Sequence, residues 1–223
     1  MKYSKFLVVL LVLIFVAGNA FGQMRQPQKE LFGGVAFPMA PDFFKDYYKM
    51  GYSIHGQYVM FPSPSMGVVF GVAYEPFSVD KDKILEDFTG YTQDELEEMG
   101  VDADFEAGLS ILEIGAGIRP YLSAPESTTQ LFLLGMATYN IMRSTAEGTV
   151  EATEYDPWSG QYYTYSEEID ESDTENKFGL AVGAGIEVPA GDTMNLIFQG
   201  LYRFIFIEDE TASFVGITAG LVF

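Results

Sequence analysis

The single histidine of this chain, His55, stands two residues after Ser53. In an extended segment residues two apart share a face, so the hydroxyl and the imidazole would be neighbours. With a carboxylate to orient the ring, such a pair activates an oxygen nucleophile for ester hydrolysis or acyl transfer. A hydrogen-bonded interior histidine accounts for the same residues without any reaction. A second set is ionic: Glu75, Glu113, Arg119, Glu187 and Arg203 interrupt stretches that are otherwise apolar or glycine. Held together, they make either a gated ion path or a packed ion-pair plug. A third set lies between Met142 and Asn176. Glu147, Glu151, Glu154, Asp156, Glu167, Glu168, Asp170, Glu171, Asp173 and Glu175 are mixed there with Tyr155, Trp158, Tyr162, Tyr163 and Tyr165. Aromatic rings beside carboxylates suit contact with sugars or proteins, and Trp158, Tyr162, Tyr163, Asp170 and Asp173 are the candidate contact residues. Clustered carboxylates also ligate Ca2+, but the spacing matches no calcium-binding loop, and no other cofactor is expected. Cysteine is absent, which removes disulfides and thiolate metal sites.

The elements that carry these groups are strands. Apolar residues alternate with small or polar ones at period two, the pattern of a strand with two different faces. Eight such stretches are predicted: Glu30–Met39, Tyr52–Phe61, Met66–Phe77, Ala107–Tyr121, Thr129–Ile141, Lys177–Val188, Met194–Ile207 and Ser213–Phe223. A tilted strand of about 9–11 residues crosses a bilayer, and each stretch has about that length or a little more. The connections alternate between long and short. PSPS, PESTT and PAGD are tight turns, whereas Ala40–Gly51, Ser78–Glu106 and Met142–Asn176 are longer, and the acids gather in the long ones. Inside Ser78–Glu106, Thr92 and Glu95 form a capping-box pattern, which predicts a short helix over Thr92–Met99 closed by Gly100.

The two faces of the strands differ in kind. One row reads Tyr52, Ile54, Gly56, Tyr58, Met60 in the second stretch and Ser110, Leu112, Ile114, Ala116, Ile118 in the fourth. The other row is rich in glycine and carries Glu75, Glu113, Arg119, Glu187, Arg203 and His55. A charge facing lipid at mid-depth costs roughly 2–4 kcal/mol for Arg or Lys, so the charged row is expected inside and the apolar row outside. Aromatics near the strand ends, Tyr52, Phe61, Tyr74, Tyr139, Phe204, Phe206 and Phe223, are expected as an outward interfacial girdle. "IGAGIRP" (Ile114–Pro120) and "VGAGIEVP" (Val182–Pro189) both run toward a short turn, and a shared packing requirement explains the likeness.

Residues 1–22 read as a secretory signal peptide: Lys2 and Lys5, an apolar run from Phe6 to Ala17, and a small-residue cleavage region at Gly18–Gly22. A short polar lead-in covers 23–29, and 30–223 form one barrel domain. Formal charge is −20, and the loss of Lys2 and Lys5 makes the exported chain more acidic. That excludes nucleic acid as a partner.

With its opening LFGGVAFPMAPDFFKDYYKMGYS, its eight strands, its unequal loops and its final Phe223, the sequence resembles the outer-membrane β-barrel domain family of the OmpA/OmpX type. The likeness covers Glu30 to Phe223. It implies an all-β fold, an eight-stranded antiparallel up-and-down transmembrane barrel in the bacterial outer membrane, monomeric and surrounded by membrane lipid and lipopolysaccharide. It also implies that the last strand, with Ile217, Ala219, Leu221 and Phe223 on one row, is what the barrel-insertion machinery recognises. Family members range from structural proteins and adhesins to a few lipid-modifying enzymes. The expected role is structural or surface-interacting and non-enzymatic. The alternatives are a lipid A-modifying hydrolase using His55 and a secreted soluble barrel that binds an apolar ligand. Conduction is not expected at this strand number, nor is a cell-wall-binding domain expected after Phe223.

Overall fold

Eight antiparallel strands close on themselves in the computed structural model, which describes residues 25–191, 194–208 and 210–223. The signal peptide and the first two lead-in residues lie outside the described residues. The strands are β1 (Gln28–Ala40), β2 (Gly51–Ser63), β3 (Met66–Ser78), β4 (Val101–Pro120), β5 (Gln130–Asp156), β6 (Gln161–Pro189), β7 (Asn195–Phe206) and β8 (Thr211–Val222). Each pairs with its sequence neighbours, and β1 pairs with β8 to close the ring. At that seam the Lys29 amide donates to the Phe223 carbonyl at 2.9 Å and the Phe223 amide to the Lys29 carbonyl at 3.0 Å. Closure leaves no free edge within the barrel wall.

Alternation along each strand sorts the side chains as expected. Ser53, His55, Gln57, Glu75, Glu113, Arg119, Glu187 and Arg203 are buried, and Tyr52, Ile54, Tyr58, Val72, Ile114, Ile118, Leu131, Leu133 and Ile217 are exposed. An exterior made of such side chains is what a hydrocarbon surround stabilises and water does not. Glycines on the inner row make room for the plug. A Cβ on Gly216 would lie 2.6 Å from Arg203 Nη1, and one on Gly185 would overlap the Phe132 ring. Gly115, Gly117, Gly183 and Gly185 all face such close neighbours, which is the packing requirement shared by the two glycine-rich segments.

Three short helices sit at the long-loop end: α1 (Asp42–Tyr47), α2 (Lys81–Thr89) and α3 (Gln93–Glu98). The predicted helix is α3, with both halves of the Thr92–Glu95 capping box formed and Gly100 closing it at a φ of 83°. The other two are additions. α1 drops Phe44 into the barrel mouth, with ring centroids 5.2 Å from Phe77 and 6.4 Å from Phe214. Leu85 of α2 and Leu96 of α3 bury against Ala103 of β4.

Two expectations are corrected. Phe61 is not in the outward girdle: it is 2% exposed and packs inside with Val59, Tyr121 and Phe132, because it shares the parity of Val59. Met142–Asn176 is not a loop. The β5–β6 ladder runs without interruption to Asp156 opposite Gln161, and β4, beginning at Val101, pairs with the β5 side of the extension as far as Ala152. At about 3.3 Å per residue, the fourteen steps from Met142 to Asp156 carry the ribbon about 45 Å along the strand beyond the mouth. Above Gly179, β6 has no partner on its β7 side among the described residues, so one edge of the ribbon from Gln161 to Lys177 is unpaired there.

Candidate functional site: the plugged lumen and the extended ribbon

An eight-stranded barrel has room only for side chains, and a charge buried there is stable only with a partner. The lumen meets both conditions with three separate ionic layers rather than one network. At the short-turn mouth, Glu187 is held by the lead-in. Arg25 Nη2 donates to both of its carboxylate oxygens at 2.9 and 3.2 Å, Gln28 donates at 3.1 Å and Asn195 at 2.6 Å. The Arg25 guanidinium also lies over Phe61 and Tyr121, 4.7 and 5.0 Å from their centroids. Deeper in, Arg119 forms a two-pronged pair with Glu30, with Nη2 donating at 2.8 Å, and also donates to Gln57. Its guanidinium stacks 4.4 Å from the Phe132 centroid. The third layer lies nearer the long loops. Arg203 reaches Glu75 at 3.1 Å and Glu113 at 3.4 Å, and the Ser53 hydroxyl donates to Glu75 at 2.9 Å. Apolar clusters separate and cap these layers: Phe32, Val59, Phe61, Val69 and Phe132 toward the short-turn end, and Phe44, Phe77, Ile205 and Phe214 toward the other.

Ser53 and His55 share a face but do not bond to each other. Ser53 serves Glu75, whereas His55 Nε2 lies 2.7 Å from Gln199 Nε2, and the imidazole stacks on Phe32 at 4.2 Å. A nucleophile here would have its oxygen tied to one carboxylate and its base turned to another strand, inside a packed interior. Arg25 and Glu30 are members of the lumen that sequence reasoning did not name, whereas Gln57 falls on the inward row with Ser53 and His55 as its parity requires. For Glu30 the signal was present, since it shares parity with Phe32 and Gly34. For Arg25 there was none, because no periodicity extends into the lead-in.

The ribbon brings together only part of the candidate contact set. Asp156, Trp158 and Ser159 form the tip, where the Asp156 carboxylate accepts from the Trp158 amide at 2.8 Å and the Ser159 amide at 3.3 Å. The Ser159 hydroxyl first, and then these amides, hold the Asp156 carboxyl below its ordinary range. Tyr155 and Tyr162 stack at 5.1 Å, and the Tyr163 hydroxyl donates to Ser159. Trp158 is 97% exposed. Asp170 and Asp173 are not near these rings. They lie well down β6 toward the barrel mouth and face opposite sides of the ribbon. Among the described residues, no group of three or more His, Asp or Glu is placed to hold a metal ion.

At the foot of the ribbon a cleft opens over the barrel mouth. One part, about 200 Å3, is lined by Phe43, Phe44, Leu109, Met142, Ile207 and Ala212 with Asp173 and Glu175 at its side. The adjoining part, about 530 Å3, is lined by Tyr48, Ile84, Ala107, Ser144, Glu171 and Asp173 among others. Burial pushes the Tyr48 phenol above its ordinary value, so it is a neutral hydroxyl in this wall.

No protein-family model matches the chain, and no curated protein matches it. Among solved structures it is similar to Ail, the attachment invasion locus protein of Yersinia pestis, in complex with the heparin analogue sucrose octasulfate. The identity is 14%, the TM-score 0.52, and the match covers 89% of this chain and 100% of that one. It is also similar to a major outer membrane protein from Thermus thermophilus, at 12% identity and TM-score 0.54, over 89% and 99% of the two chains. Neisserial surface protein A matches at 12% identity and TM-score 0.51, over 90% and 97%. At these identities the likeness is one of fold, and the fold is the eight-stranded outer-membrane β-barrel.

Proposed function

We propose that this protein is an integral outer-membrane barrel that works at the cell surface by contact, through the β5–β6 ribbon. The observation that carries this reading is Trp158, 97% exposed at the tip of a ribbon continuous with the barrel wall. A large aromatic held in water gains by burial against a partner, and Tyr155, Tyr162, Tyr163 and Tyr165 add further apolar area beside it. The apolar exterior supports residence in lipid rather than a soluble barrel. The non-enzymatic reading is supported by the burial of His55 and the diversion of Ser53 to Glu75. In the same reading Phe223, with Leu221, Ala219 and Ile217 on the outward row of the closing strand, is the mark read by the insertion machinery.

The similarity to Ail does not extend to a polyanionic ligand. Glu151, Glu154, Asp156, Glu167 and Glu168 flank the aromatic tip, and a sulfated sugar would meet their repulsion. The partner class is therefore neutral or cationic. The test presents cells displaying the protein to arrays of neutral glycans, heparin and extracellular-matrix proteins. Retention on at least one surface other than heparin is expected, and it is lost in the Trp158→Ser/Tyr162→Ser variant, which keeps the same net charge. Equal retention of displaying and empty cells on every surface overturns the reading.

A further inference from the structure

The cleft at the foot of the ribbon is not used by contacts at the tip. Its two parts share Tyr48, Ser144 and Asp173, so they form one space between α1, α2 and the inner face of β4–β6. The floor is apolar: Phe44, Leu109 and Ala212 are buried, and Met142 and Ile207 are partly buried against them. The wall is anionic. Asp173, Glu171 and Glu175 stand on the inner row of β6. Lys177 on that row pairs with Glu175 at 3.2 Å. Lys49 pairs with Asp80, Lys81 with Asp104 and Lys83 with Asp46, and Lys45 of α1, which forms no ion pair among the described residues, does not line the cleft. Among the described residues Asp173 and Glu171 have no cationic partner, and the Asp173 carboxylate accepts only from the Thr174 amide. An apolar floor beside unneutralised carboxylates is complementary to one class of molecule, an apolar tail ending in a positive charge.

We propose that this cleft binds a small cationic amphiphile. The tail lies on Phe44, Met142 and Ile207, and the ammonium sits against Asp173 and Glu171. An anionic amphiphile of the same length meets repulsion there, and a neutral one gains the floor alone.

Three probes of equal chain length separate these terms: hexylammonium, hexanol and hexanoate, each titrated into the full protein in nanodiscs, with empty nanodiscs as the reference. Binding is read from the heat of titration by isothermal calorimetry. Hexylammonium is expected to bind on the order of fivefold more tightly than hexanol, the scale of one partly exposed ion pair, and hexanoate more weakly than either. Added salt reduces only the ammonium preference. Asp173→Asn/Glu171→Gln brings hexylammonium to within twofold of hexanol, and Met142→Ser weakens both. Equal binding of the three probes, signals no larger than in empty nanodiscs, or an ammonium preference that survives the double substitution each overturns the proposal. Trp158→Ser/Tyr162→Ser leaves this binding unchanged, so its outcome is independent of the tip reading.

Discussion

Arg203→Met tests the idea that the lumen is a plug held by paired charges. Arg203 is 2% exposed, and its guanidinium is the one cation within 4 Å of Glu75 and Glu113 among the described residues. Methionine fills much of the same volume and carries no charge. Its introduction leaves two buried carboxylates facing each other without a guanidinium, with only the Ser53 hydroxyl donating to one of them. Breaking a buried pair in this way costs about 3–5 kcal/mol, a large part of the roughly 5–15 kcal/mol that holds a domain folded. At 1.4 kcal/mol per decade, the folding equilibrium constant falls by about two to three and a half orders of magnitude. The assay is urea unfolding in lipid vesicles, followed by the difference in gel mobility between unheated and heated samples. Adding Glu75→Gln and Glu113→Gln to Arg203→Met removes the stranded charges and restores most of the loss. A single variant within about 1 kcal/mol of the parent, or a triple variant no better than the single, refutes the reasoning.

Two further outcomes follow from other parts of the chain. Ile114 sits at mid-span on the outward row, 49% exposed, so Ile114→Arg costs roughly 2–4 kcal/mol, while Met39→Arg at a strand end costs about 0–1 kcal/mol. Urea unfolding in vesicles that shows equal costs counts against a lipid-facing exterior. The Thr92 amide and hydroxyl hold the Glu95 carboxyl below its ordinary range. A depressed value in the folded state means the cap is at full strength above the ordinary carboxylate range and is lost as pH falls through the depressed value. The carbon chemical shifts of Gln93–Glu98 therefore move toward coil values at low pH in the parent, and Glu95→Gln, which removes the titrating carboxyl, abolishes that step.

The spans were legible because lipid on one side and a crowded interior on the other impose opposite demands on alternate residues. Ile114 and Glu113 could not exchange places. Above the mouth both faces of the ribbon meet water, the demand disappears, and Glu167 to Glu175 show no apolar alternation from which pairing could be read. Phe61 was misplaced because its type was weighed over its parity with Val59. The interior charges were identified by row, but their partners were not. Which inner residues meet depends on the stagger of the closed sheet, which joins Arg119 to Glu30 across 89 positions, and on Arg25, which lies outside any strand. The helix over α3 was visible through its capping box. α1 was not, since six residues hold too few turns to show a period.

The bare margin of β6 has a consequence for crowded membranes. A row of amides and carbonyls without mates is a template on which another chain can zip. Glu167, Glu168, Asp170, Glu171, Asp173 and Glu175 line it, and in neutral, dilute salt two sister molecules carrying the same row push each other away. Acidification or heavy screening switches off that mutual repulsion while leaving the unmet backbone groups in place, so clumping of cells that carry many copies is governed by the medium rather than by any change in shape.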